Sequence, residues 1–265
     1  MLSLIKTFRM AWALADDSHI GIIAAGVAYY AFLALVPLLA AAILTYGLAV
    51  DPATIADHGA ALANRLPGAA GDFVSEQLRE VAASRSGTHG LGLLLALALA
   101  LFSARAAAGA LITALDIAFD VEEDRGFIAS NLLALGITFG AVLALGIVAG
   151  VTALASTVLA GSVGAAASFL VVGIAGFAAA YIAYRMLPKR PLVSSGSARH
   201  GAALFAVGWL VASAGLGLYA GNFSDYGATY GSLGAVVVFL TWLWLSAWLL
   251  LFGAHFATAS AQARD

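Results

Sequence analysis

The sequence predicts an all-α, polytopic integral membrane protein with six transmembrane helices, and three observations predict it. Apolar residues make up 63% of the 265-residue chain and charged residues only 10%, whereas a soluble domain carries roughly 25% charge. The run 127–184 contains no Asp, Glu, Lys or Arg and is far longer than the roughly 20 residues that cross a bilayer. Charge is concentrated in short segments, notably 50–89 and 116–125, that separate the apolar runs. Residues 1–265 therefore read as one transmembrane domain. It has an interfacial amphipathic helix at 1–19 and an extracytoplasmic helical hairpin at 50–89.

Residues 1–19 place Leu2, Ile5, Phe8 and Trp12 at steps of three and four, with Ser3, Lys6 and Asp16 on other faces. That is the pattern of a helix lying in the membrane interface. The apolar run 20–49 exceeds the ~7–15 residues of a signal-peptide core and forms the first span. Pro37 within it removes a backbone hydrogen bond and predicts a kink unless a neighbour satisfies the freed carbonyl. Segment 50–89 carries eight charges and a Leu66-Pro67-Gly68 break, which predicts two short surface helices. Asp51 with Pro52 caps the first, and Gly71-Asp72 opens the second. This hairpin is either a lid over a central cavity or a solvated connector. Its charges make lipid burial costly, while Ile55, Leu62 and Leu66 can rest on the interface.

The second span, 91–119, is interrupted by Arg105 and runs into Asp116, Asp120, Glu122, Glu123, Asp124 and Arg125. Run 127–184 supplies two spans, because one helix of that length would extend about 87 Å; the small, polar stretch 156–164 is the turn. A fifth span covers 201–223, a Gly- and aromatic-rich loop surrounds Asp225, and 233–256 is the sixth. With both termini cytoplasmic, eight Lys/Arg fall in inner segments against three outside, which favours that orientation.

Several activities are excluded at this stage. The chain has no cysteine, hence no disulfide, thiolate nucleophile or Cys-based metal site. A net charge of −2 lacks the basic excess that nucleic-acid binding needs. There is no Walker loop, no Gly-x-Ser-x-Gly and no His-Glu-x-x-His, and the five histidines are scattered. No enzyme, cofactor or metal is expected.

Arg105 is the most informative residue, since an arginine within a span is costly unless paired, snorkelled or facing water. Asp116 lies 11 residues further on, on nearly the same helical face but about 16 Å away along the axis. The two can line one polar stripe; alternatively Arg105 snorkels to headgroups. His255, near the cytoplasmic end of the sixth span, suits either proton coupling or a core hydrogen bond. Tyr29 and Tyr30 lie before Pro37, either walling a polar cavity or packing with their hydroxyls on backbone. Tyr230, with Tyr219, Phe223 and Tyr226, can stack on a ligand or belong to an aromatic belt. The pairs Gly136/Gly140, Gly146/Gly150 and Gly217/Gly221 are spaced for close helix approach, within the chain or in a homo-oligomer.

Three stretches resemble the YihY/BrkB family of bacterial inner-membrane proteins. The first is Ala24-Ala25-Gly26-Val27-Ala28-Tyr29-Tyr30 continuing to Leu35-Val36-Pro37-Leu38-Leu39. The second is Phe102-Ser103-Ala104-Arg105 with Ala114-Leu115-Asp116. The third and most specific is Tyr230-Gly231-Ser232-Leu233-Gly234-Ala235-Val236-Val237-Val238, then Trp242-Leu243-Trp244-Leu245-Ser246 and Gly253-Ala254-His255. The resemblance implies six helices, cytoplasmic termini and a role in transport, lipid handling or ion exchange. The family's older name, ribonuclease BN, is regarded as a misassignment. The sequence departs from the family pattern at His255, where an acidic residue commonly follows Gly-Ala, and at Asp116, where asparagine is common. A coupling role assigned through that acidic position would have to fall to Asp116 or His255.

The resulting expectation is a transporter or flippase-like protein for an anionic or amphiphilic, lipid-like species, with membrane lipids as partners and Arg105, Asp116, Tyr29, Tyr30, Pro37, Tyr230 and His255 as candidate substrate contacts. The alternatives are a structural or assembly protein and a proton-coupled ion exchanger. The topology has a direct check: cysteines introduced at Ser75 and Ser195 should label from opposite sides of the membrane in intact cells. Same-side labelling would mean that the span count is wrong by one.

Overall fold

The computed structural model describes residues 2–49, 89–121, 126–159, 161–188, 193–222 and 232–263. The expected hairpin at 50–89 therefore lies almost wholly outside the described residues, as do Tyr230 and the charges at 122–125. Among the described residues all regular structure is helical: α1 (Leu2–Asp17), α2 (Ile20–Ala49), α3 (His89–Ala118), α4 (Phe127–Val158), α5 (Gly161–Met186), α6 (Ser195–Asn222) and α7 (Ser232–Gln262). Ala98–Ala118, Gly161–Met186, Ser195–Tyr219 and Val236–Gln262 are each long and apolar enough to cross a membrane. Ile5–Asp17 and Ile20–Ala34, bent by 68° at their break, make a fifth if taken as one span.

Local chemistry explains where the helices stop. α2 continues through Pro37 as one element, so the helix is not ended there. α3 closes in a Schellman arrangement: the Val121 N–H donates to the Asp116 carbonyl (2.9 Å) and the Asp120 N–H to that of Ile117 (3.1 Å). Asp120 takes the left-handed conformation, φ 56°, that more often belongs to glycine at this position. Between α4 and α5, within the turn expected at 156–164, Gly161 has φ 67°, where the missing Cβ removes the steric penalty. Ser194 caps α6, its Oγ accepting from the Ser197 N–H at 3.2 Å and its carbonyl from the Ala198 N–H at 2.9 Å.

The chain forms two compact units, Met1–Tyr29 with Ala108–Asp265, and Tyr30–Ala107. In the first, α7 packs against α6 and α1, and α5 packs against α6 and α4. Its core is built from small side chains, with Ala11, Ala24, Ala198, Ala202, Ala254, Ala257 and Ala259 fully buried. Large aliphatic residues such as Ile22, Ile128, Ile174 and Leu218 point outward. Lipid tails are as apolar as leucine, so membrane helices gain by close backbone approach rather than by hiding Leu and Ile. The second unit carries most of α2 and the first part of α3, with Ala34, Ala100 and Ala104 buried.

The same preference for small contacts shows on α1. Its buried face is Thr7, Ala11 and Ala15, whereas Ile5, Phe8 and Trp12 remain largely exposed. The helix meets α7 through those small residues and through the rings of Phe8 and Trp12.

The closest helix approach is between α6 and α7. A Cβ on Gly201 would collide with the Gly253 carbonyl oxygen, and one on Gly253 would collide with the Tyr184 hydroxyl and lie 2.8 Å from the Gly201 carbonyl oxygen. The sequence reading had placed close approach at other glycines. Around Gly136, Gly140, Gly150 and Gly217 an added Cβ meets nothing within 4 Å, because GxxxG spacing marks a smooth surface without specifying what covers it. Higher along the α6–α7 pair, the Trp209 indole N–H donates to Ser246 Oγ (2.9 Å) and the Trp242 indole N–H to Ser213 Oγ (3.0 Å). Each helix thus contributes one indole and one hydroxyl.

These environments separate two glycine substitutions. Gly253→Ala must displace backbone and should destabilise by about 1–3 kcal/mol. Gly136→Ala, in open space on a helix, should be neutral or stabilising by roughly 0.5–1 kcal/mol. Thermal unfolding of the two purified variants in one detergent checks the contrast.

Candidate functional site

The residues Gly253-Ala254-His255 on α7 are a convergence point. On one side, α5 brings Tyr184, which is fully buried. Its hydroxyl donates to the Leu250 carbonyl at 2.6 Å, and its ring meets Phe119 edge-on at 5.8 Å between centroids. On a second side, α6 presents Gly201 against Gly253. On the third, the turn between α1 and α2 presents Ser18, whose Oγ lies 2.9 Å from His255 Nε2.

His255 is only 3% exposed, and the same Ser18 hydroxyl also reaches the Ala15 carbonyl at 3.3 Å. Between the two readings of His255 from sequence, this geometry is the core hydrogen bond.

The α1–α2 elbow is held by α7 through further contacts. The Trp244 indole N–H donates to the Gly21 carbonyl at 3.0 Å. Phe8 meets Phe252 edge-on (5.3 Å), Trp12 meets Trp248 (6.0 Å) and Phe252 (5.9 Å), and Trp248 stacks on Phe252 at 5.1 Å. At the elbow itself His19 has φ 53°, an uncommon conformation for a non-glycine residue. Its Nδ1–H donates to the Asp16 carbonyl at 3.0 Å. Beside these residues an open groove of about 300 Å³ is lined by Trp12, Ala15, Asp16, His19, Ile20, Gly21, Ile22 and Trp248.

The other candidates are distributed. Arg105 is half-buried on α3, in the unit that also carries Tyr30 and Pro37. Asp116, half-buried near the end of α3, and Tyr29, exposed on α2, belong to the unit that holds His255. Tyr184, Ser18, Gly201 and His19 escaped the sequence reading. Tyr184 is the last residue of the uncharged run 127–184, so its hydroxyl sits where the chain leaves the apolar segment, a signal that was present but unweighted. Among the described residues no three His, Asp or Glu side chains gather around a cation-sized space.

A family model described as virulence factor BrkB matches residues 11–265. The chain belongs to that family. Among curated proteins, it is 28% identical to the ribonuclease-like protein YfkH of Bacillus subtilis (strain 168), over 59% of this chain and 61% of that protein. It is also 33% identical to a UPF0761 membrane protein of Alteromonas mediterranea, over 31% of this chain and 28% of the relative. A UPF0761 membrane protein of Xanthomonas oryzae pv. oryzae is 36% identical over 31% of this chain and 19% of its own length. These matches thus span about three fifths of the first relative and less than a third of the others. No solved structure matches the chain. For this BrkB-family protein, the motif Gly253-Ala254-His255 that carried the resemblance is the segment on which α1, α5 and α6 converge.

The elbow contact is testable. Removing the hydroxyl in Ser18→Ala leaves the buried His255 ring nitrogen without its partner, a loss of about 0.6–1.7 kcal/mol for a hydrogen bond between membrane helices. Hydrogen exchange should quicken across residues 11–18 and remain unchanged across the α6–α7 contact.

Proposed function

We propose that this BrkB-family membrane protein moves or flips an anionic or amphiphilic, lipid-like species, with Arg105 as the residue that reads its charge. The observation that carries this reading is the position of Arg105: half-buried, inside the apolar segment Ala98–Ala118. An arginine is tolerated there if an anionic headgroup entering between helices neutralises it. The planar guanidinium matches a phosphate or carboxylate at two points at once. In this proposal α2 to α7 are six spans with both termini cytoplasmic, in a bacterial inner membrane, and the chain has no enzymatic activity of its own. The name ribonuclease-like belongs to YfkH, and the motifs absent from this chain argue against carrying it over.

The hydrogen bond of His255 to Ser18 favours a packing role for that residue over proton coupling, so an exchanger driven through His255 is the weaker alternative. Arg105→Lys separates transport from a purely structural role. Lysine can snorkel as arginine does but cannot form the fork. The variant should insert and fold normally yet lose roughly tenfold or more in binding of anionic lipid, measured on purified protein beside the parent. Equal lipid binding and equal activity in the two proteins would leave the structural or assembly role as the better reading.

A further inference from the structure

We propose that the groove at the α1–α2 elbow seats an aminophospholipid headgroup, its ammonium held by Asp16, the Nε2 of His19 and the exposed part of the Trp12 indole. The groove lies within one compact unit, and every lining residue belongs to it. Its volume, about 300 Å³, is at the small end of ligand sites and suits a headgroup with its glycerol.

Three independent features set the sign of the charge it takes. The acidic lining residue Asp16 is exposed and is followed by exposed Asp17. The nearest basic residue on α1, Arg9, stands seven positions before Asp16, roughly 10 Å along the axis, and three before Trp12, so the charges nearest to His19 on the chain are the acidic ones. His19 contributes an acceptor rather than a donor. Its Nδ1–H is committed to the Asp16 carbonyl, which in the neutral ring leaves Nε2 as a lone pair. An ammonium N–H satisfies both the carboxylate and that nitrogen, whereas a phosphate satisfies neither. The two tryptophans supply the aromatic part of such a site. Of the two, Trp12 is the accessible one: Trp248 is stacked on Phe252 (5.1 Å) and meets Trp12 edge-on (6.0 Å, 60°), whereas Trp12 is 54% exposed, and indoles are the strongest aromatic partners for a cation.

The attachment of the ligand to a lipid follows from the position of the groove. It opens where an amphipathic helix turns by 68° into an apolar one; with α1 lying in the interface, as its sequence pattern predicts, this is the level at which headgroups meet acyl chains. Ile22, a lining residue, is 76% exposed and begins the apolar surface of α2, along which an acyl chain can run. The uncommon backbone of His19 has a use in this arrangement, since the left-handed turn is what brings Asp16, His19 and Ile22 to one opening.

The test uses purified full-length protein in nanodiscs or detergent, with native mass spectrometry of retained lipid. Phosphatidylethanolamine, phosphatidylcholine and phosphatidylglycerol are supplied at equal concentration. Phosphatidylethanolamine should be retained preferentially, phosphatidylcholine less because its headgroup has no N–H to donate, and phosphatidylglycerol least at this site. Asp16→Asn and Trp12→Ala should each reduce phosphatidylethanolamine retention roughly tenfold and leave phosphatidylglycerol retention unchanged. Asp16 is exposed, so Asp16→Asn should keep its thermal unfolding; Trp12 also packs on Trp248 and Phe252, so the loss in Trp12→Ala is read as specific only where phosphatidylglycerol retention is kept, since unpacking α1 would lower retention of all three lipids. Arg105→Lys should leave phosphatidylethanolamine retention intact, which separates this site from the anionic one proposed for Arg105. Undiminished phosphatidylethanolamine retention in folded Asp16→Asn and Trp12→Ala, or an equal loss of all three lipids, would overturn the proposal.

Discussion

The contact between the Gly253 and Gly201 backbones is the constraint on which the first unit depends. Two helices that close leave no room for a side chain at either position, and Tyr184 then fills the remaining gap so tightly that even a methyl on Gly253 would strike its hydroxyl. The consequence extends in both directions along α7. Toward Trp242 the two helices stay near enough for each indole to reach a hydroxyl opposite. Toward Gln262 the buried run Leu251–Ala257 becomes a surface of small residues and rings on which α1 can lie. Membrane helices gain no hydrophobic drive from one another; shape at this crossing takes its place.

The functional features are arranged around that rigid part rather than within it. His255 is spent on Ser18, and Tyr184 on Leu250. The groups left near the surface, Asp16, His19 and Trp12, gather at the α1–α2 elbow, where Trp12 also touches Trp248 and Phe252 of α7. Arg105 belongs to the other compact unit. A packed region made of glycine, alanine and satisfied polar groups is suited to hold position. An elbow with an exposed carboxylate and indoles is suited to meet a changing lipid.

Much of this architecture was legible in the sequence because a spanning helix announces itself by length and lack of charge. The limits of α2 agreed with the apolar run 20–49, and the break between α4 and α5 fell inside 156–164. α7 runs about a turn and a half beyond the apolar run read for it, ending at Gln262, because Ala257, Ala259 and their neighbours are buried by packing that hydropathy does not record. The same holds on α1, where Ile5, Phe8 and Trp12 stand out in the sequence but the burial of Thr7, Ala11 and Ala15 does not. Glycine spacing is silent for a related reason: Gly136 and Gly140 repeat at an interval suited to close approach within the chain or in a homo-oligomer and face open space in the chain itself, whereas Gly201 and Gly253, which do meet a backbone, have no glycine at that interval. Within the site, the Gly-Ala-His segment was visible as a motif. Its partner Ser18, 237 residues away, carried no sequence signal, since a serine in a turn is ordinary.

That separation sets an order for assembly in the membrane. At roughly 5–20 residues per second of synthesis, on the order of 10 to 50 s pass between the emergence of Ser18 and that of His255. Throughout that interval α1 has no α7 to dock on and must be held by the lipid interface alone, which its exposed Phe8 and Trp12 can manage and its buried alanines cannot. Closure of the elbow is therefore a late event in biogenesis, and a chain interrupted before α7 would present the alanine face of α1 uncovered to the proteases that clear unfinished membrane proteins.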